Sequence, residues 1–170
     1  IAKYKQQLTP AALAGADRGI GRAVFQRTCA TCHTLFDTGG KIGPELTGAQ
    51  RNNLDYVLSN VLDPSAVVAK DYQMTLLVMA DGRVISGIVK SEDERRLTVQ
   101  TATELITVIK NEIDSRDVMA NSMMPDGLLT PLSEVEVRDL AAYLMGTTQG
   151  PASSEHGVGG ESRPTPGGVP

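Results

Sequence analysis

The 170-residue sequence predicts a mainly α domain carrying a small antiparallel β insertion. Capped stretches with apolar residues on one helical face lie at both ends of residues 17–146. Between about residues 70 and 117 the pattern changes to short runs rich in Val, Ile, Leu and Thr. Directly after the first strong helical stretch comes Cys29-Ala30-Thr31-Cys32-His33, which holds both cysteines and one of the two histidines.

Residues 1–16 are a polar, Ala-rich lead-in. Asp17 is placed to cap a helix from Arg18 to about Thr28, on which Gly21 and Phe25 lie one turn apart on the same face. From His33 to Gln50 the Gly-rich text reads as an extended loop. An Asn cap then opens a helix in which Leu54, Val57, Leu58, Val61 and Leu62 recur at i, i+3, i+4, i+7 and i+8, and which stops before Pro64. Strand-like runs follow at residues 72–79, 84–89, 96–102 and 105–109, with Asp81-Gly82 suited to a tight hairpin turn between the first two. Ser133 and Glu136 form a capping-box pair at the start of a last helix, where Val137, Leu140, Ala141 and Leu144 share a face and Gly146 marks the stop. Ten of the last 24 residues are Gly or Pro, which predicts a flexible tail over residues 147–170.

A hydrophobic fraction of 41% is enough for a buried core, yet two Phe, four Tyr and no Trp leave that core short of large side chains. A bulky cofactor would make up the difference. The net charge of −4, with scattered Lys and Arg, excludes a nucleic-acid surface, which relies on clustered cations. No apolar run approaches the roughly 20 residues that span a bilayer. No signal-peptide h-region precedes Ile1, so a mature or excised soluble portion is expected.

The Cys29–His33 run admits three chemistries. A redox dithiol normally follows a strand, whereas here a predicted helix precedes the motif. Zinc requires four ligands, and the only other histidine is His156 in the tail. A Cys29–Cys32 disulfide would close too small a loop to stabilise much. Covalent haem c accounts for all three residues, since each thiol can add to one vinyl group while His33 serves as the proximal iron ligand. A methionine is expected at the second axial position. Met124 is the first choice, because Pro125 holds its backbone extended; Met123 comes second and Met119 third. Met74, Met79 and Met145 are read as packing residues.

Through the helix bearing Gly21 and Phe25, "CATCH", "GPELTG", the helix 54–62, "MMP" and "LAAYLM", the chain resembles a class I cytochrome c. The resemblance implies a mainly α cytochrome c fold with one haem c, covalent through Cys29 and Cys32. It implies that Gly21 and Phe25 meet Leu140 and Tyr143 where the first and last helices cross. It also implies that the Pro44 carbonyl accepts the His33 ring N–H and that His33 and Met124 ligate the iron. His33 and Met124 are 91 residues apart, which fits a small cytochrome only once the β segment is set aside. More specifically, then, "DYQMTLLVMADGRVISGIV" and "MMPDGLLTPLSEVEVRDLAAYL" resemble the haem-binding domain of the Pirellula/Verrucomicrobium type.

The organisation expected is a lead-in at 1–16, a cytochrome c domain at 17–146 interrupted at about 70–117, and a tail at 147–170. The function implied is single-electron transfer rather than catalysis. The alternative is a haem c enzyme or a gas- or peroxide-binding sensor with a labile or vacant sixth position. Redox proteins are the expected partners, among them a fused or associated dehydrogenase; a homodimer through the insertion is a further expectation, with no nucleic acid and no transmembrane segment. Haem c is attached after export, which implies a periplasmic or otherwise exported location. A surface role is the first reading for Arg22, Arg27, Lys41 and Arg51; if one of them pairs with a haem propionate, Arg51 is the first candidate. The insertion stays open among partner binding, shielding of a haem edge, dimerisation and plain packing.

Overall fold

The computed structural model describes residues 1–150; of the tail expected at 147–170, residues 151–170, with His156, lie outside the described residues. The lead-in folds into two short helices, α1 (Ala2–Gln7) and α2 (Pro10–Ala14). The Thr9 hydroxyl caps α2 by accepting from Ala12 N at 3.2 Å, and Pro10 fits the first turn, where no N–H is needed. Leu8 between them is 2% exposed, so the lead-in contributes to the core rather than merely preceding it.

Helix α3 (Arg18–Thr28) starts where the Asp17 carboxylate accepts from the Gly19 and Ile20 amides, at 2.8 and 3.1 Å. Helix α4 (Leu54–Leu62) starts in the same way from Asn53, and α5 (Glu134–Leu144) from the Ser133–Glu136 capping box. The crossing of α3 on α5 is the centre of the helical body. Gly21 faces the Asp139 carbonyl, and a Cβ added there would come within 2.8 Å of Tyr143 Cβ, so the crossing requires glycine. One turn on, the Phe25 and Tyr143 rings pack with centroids 5.6 Å apart. Val57, Leu58, Leu129, Val137 and Leu140 complete this apolar cluster.

Between α4 and α5 stands a five-stranded antiparallel sheet: β3 (Met74–Met79), β4 (Val84–Glu92), β5 (Arg96–Gln100), β6 (Leu105–Ile109) and β7 (Ile113–Val118), ordered β6-β5-β4-β3-β7. The β3–β4 turn passes through Gly82 at φ 86°, which the Asp-Gly pair allows. The sheet has its own apolar cluster of Leu77, Met79, Leu97, Val99 and Val108. Its two ends meet, because Met119 N–H donates to Met74 O at 2.8 Å. The fifth strand is absent from the sequence expectation, and among the described residues strand makes up 23% against 32% helix, so "mainly α" is not confirmed and the architecture is a helical body joined to a distinct β unit. No described helix is long and apolar enough to cross a membrane.

Candidate functional site

Helix α3 ends as Cys29 leaves helical geometry while its N–H still donates to Phe25 O at 2.8 Å. The Cys32 and His33 amides both donate to Cys29 O, at 3.1 and 3.0 Å, which keeps the two cysteines and the histidine within one turn of backbone. Both cysteines are free thiols and half-buried. Burial, reinforced by the neighbouring Cys32, pushes the Cys29 thiol from its ordinary 9.0 up to about 12. Such a group stays a neutral thiol at ordinary pH. Among the described residues, no group of three or more His, Cys, Asp and Glu side chains is set to hold a metal ion by itself.

The loop that follows folds back against this turn. Gly43 N–H donates to Cys32 O at 2.8 Å and Leu46 N–H to Thr34 O at 2.9 Å. Pro44 O then lies 2.8 Å from His33 Nδ1. A carbonyl can only accept, so Nδ1 carries a proton, and Nε2 is the ring nitrogen that could offer a lone pair to a metal. Gly43 lies against the imidazole: a Cβ there would be 2.7 Å from Cε1 and 3.0 Å from Nδ1. Two free thiols and an imidazole within one turn of backbone are a donor set that fits covalent haem c.

The stretch expected as plain loop contains a small hairpin, β1 (Thr34–Leu35) with β2 (Thr38–Gly39). Its turn residues Phe36 and Asp37 stand at φ 52° and 61°, a left-handed geometry that a bulky side chain adopts only when held there. The Phe36 ring meets Tyr143 edge-on at 5.9 Å, and the Arg51 guanidinium stands 5.0 Å above it. Arg51 also donates to Leu46 O (2.6 Å), Gly146 O (2.8 Å), Thr47 O (3.1 Å) and Leu144 O. Arg51, expected as a surface residue or a propionate partner, is thus a cross-tie between the loop and the end of α5, with its donors directed at backbone carbonyls.

The methionine loop is fastened from a different side. Ser122 N–H donates to Ser65 Oγ, and Met124 N–H to Ser122 Oγ, both at 3.1 Å, tying it to the segment after α4. Met123 and Met124 are both half-buried, so exposure does not separate them. No hydrogen bond among the described residues joins this loop to His33. Met79 is buried in the β-unit cluster and Met145 packs against the helical one.

Sequence reasoning missed Gly43, Ser65 and Lys90, whose Nζ donates to Ile42 O at 3.1 Å. Gly43 adjoins Pro44 in "KIGPEL" and was open to inference; Ser65 and Lys90 carry no motif at all.

A family model described as cytochrome c matches residues 20–74, 55 of the 170. The matched span contains Cys29, Cys32, His33 and Pro44 and ends at the start of the β unit. A search of curated proteins gave no match. The family match supports a cytochrome c domain with covalently bound haem c and an electron-carrier role.

Proposed function

We propose that the chain is a monohaem c-type cytochrome domain that carries single electrons through a haem bound to Cys29 and Cys32 and ligated by His33 and Met124. One observation carries this reading: the 2.8 Å approach of His33 Nδ1 to Pro44 O leaves Nε2 as the nitrogen for iron, in the same turn of backbone as the two free thiols. When bound, the haem supplies a one-electron Fe(II)/Fe(III) couple. The chain does the rest. Pro44 fixes the tautomer and rotation of His33 and raises its basicity, and Gly43 lets the loop lie close enough to do so. The Ser65–Ser122–Met124 chain of hydrogen bonds holds the methionine loop, and Pro125 keeps the preceding residue extended.

Visible and near-infrared absorption of the purified protein in both oxidation states tests this. Low-spin haem c bands are expected, altered by Met124→Ala and retained in Met123→Ala. Immediate CO binding by the reduced wild-type protein would instead favour the gas-binding alternative. Absence of a Soret band would remove the haem itself.

Four finer readings belong with this proposal. The β unit between α4 and the methionine loop supports the Pirellula/Verrucomicrobium type of domain. The chemistry of haem c attachment supports an exported, periplasmic location. An electron carrier needs redox partners, and a fused or associated dehydrogenase is the kind proposed. The open edge of β6, where Leu105 is 59% exposed, is the place for pairing two copies, with sedimentation as the check.

A further inference from the structure

Among the described residues, one side-chain hydrogen bond runs from the β unit to the proximal loop, and it comes from Lys90. Lys90 stands on β4 at a β-bulge: Val89 pairs with Val99 and Ser91 with Thr98, so Lys90 is the extra residue between them. A bulge re-aims the side chain it carries. Here Lys90 Nζ lies 5.1 Å over the Tyr72 ring and donates to Ile42 O at 3.1 Å. Ile42 directly precedes Gly43, which lies against the His33 imidazole, and Pro44, whose carbonyl faces Nδ1. Three features therefore converge on one carbonyl of the proximal loop: an irregularity in the sheet, an aromatic face that steadies the ammonium, and a charge-assisted hydrogen bond.

We propose that Lys90 is a positioning residue for the proximal ligand: through Ile42 O it pins the 42–44 backbone and so fixes how His33 is presented to iron. The β insertion is then a brace for the haem's proximal side. This rests on the haem reading given above. Removing the Lys90 contact leaves the Ile42–Gly43 peptide held only by its N–H bond to Cys32 O, and so loosens the two residues that set the ring's orientation.

The test uses the full-length holoprotein with Lys90→Met, which keeps the length of the side chain and loses its charge, and Lys90→Arg, which keeps the charge and donors. Amide hydrogen exchange is read at Gly43 and Leu46, two amides that tie the proximal loop to the Cys32–Thr34 backbone, and at Val99 and Val108 inside the β unit. In Lys90→Met, exchange at Gly43 and Leu46 is expected to rise about threefold to tenfold. Val99 and Val108 should stay at wild-type rates, and the midpoint potential should move. Lys90→Arg should restore both loop exchange and potential. Unchanged loop exchange in Lys90→Met would overturn the proposal, and a potential change without it would mean that Lys90 acts by charge alone. A uniform rise at all four amides would overturn it too, by making Lys90 a general stabiliser of the sheet. Failure of the haem reading itself would show separately, as a wild-type protein without haem c bands.

Discussion

A methyl group at residue 43 would stand 2.7 Å from Cε1 and 3.0 Å from Nδ1 of His33, and the loop cannot simply retreat while Gly43 N–H is held by Cys32 O. Gly43→Ala must therefore rotate the imidazole or stretch its bond to Pro44. The expected result is a displaced midpoint potential and a loss of about 1–3 kcal/mol in stability, the usual range for overpacking. Potentiometry and denaturant titration check it; a potential equal to wild type would show that the ring has slack. At this scale the motif residues were legible because their chemistry is written in their spacing: two thiols and an imidazole within five positions. Arg51 was not. Its five donors suit a propionate and a row of carbonyls equally well, and only the fold puts Leu144 O and Gly146 O within reach.

The helices depend on their caps and on one crossing. At the start of α5, the Ser133 backbone and hydroxyl both donate to Glu136, at 2.9 and 2.8 Å, and Arg27 pairs with the same carboxylate from α3. The Ser133 backbone hydrogen bond chiefly, then the Ser133 hydroxyl and Arg27, hold the Glu136 carboxyl below its ordinary 4.5. Because the folded value is the lower one, this stabilisation is present above pH 4.5 and disappears as pH falls through the depressed value. Glu136→Gln keeps an acceptor for Ser133 but cannot titrate. Its melting temperature should therefore fall less than that of wild type between pH 6 and pH 3. An equal fall would place the acid sensitivity in other carboxylates, such as Glu92, also lowered by its partners Lys110 and Arg116. At the crossing, Gly21→Ala would drive a Cβ into the Asp139 carbonyl and is expected to cost about 3 kcal/mol, read as a lowered urea midpoint.

The same elements explain which parts of the fold the sequence revealed. Helices α3, α4 and α5 announce themselves because cap and apolar stripe agree. Strand β7, "IDSRDV", is an edge strand with five of its six residues exposed, so no alternating apolar pattern marks it. Helices α1 and α2 are too short for periodicity to register, and their value lies in burying Leu8. The β1–β2 hairpin lacks the usual Asn-Gly signal, since Phe36 is held in its turn by Tyr143 and Arg51, which come from elsewhere in the chain.

On the scale of the whole molecule, the change of hydrophobic period near residue 70 and the long interval from His33 to Met124 revealed the insertion, and the structure shows how separate it is. The apolar cluster of the helical body contains no residue from β3 to β7, and the cluster of the β unit contains none from the helices. The strands where the unit begins and ends, β3 and β7, are paired neighbours, with Thr75 opposite Val118 and Met119 N–H on Met74 O. Closing the chain between Gln73 and Ala120 with a few Gly and Ser residues therefore spans a gap no wider than two adjacent strands, about 5 Å. The methionine loop keeps its own tether through Ser122 and Ser65, and His33 keeps Pro44. The excised chain is accordingly expected to fold and to show the wild-type low-spin haem c spectrum. What it loses is the Lys90 contact to Ile42 O. Exchange at the Gly43 amide should then match that of Lys90→Met in the full chain. An excised protein with wild-type exchange at Gly43 would show that the insertion does not brace the proximal loop. One that fails to bind haem would show that the helical body cannot stand without it.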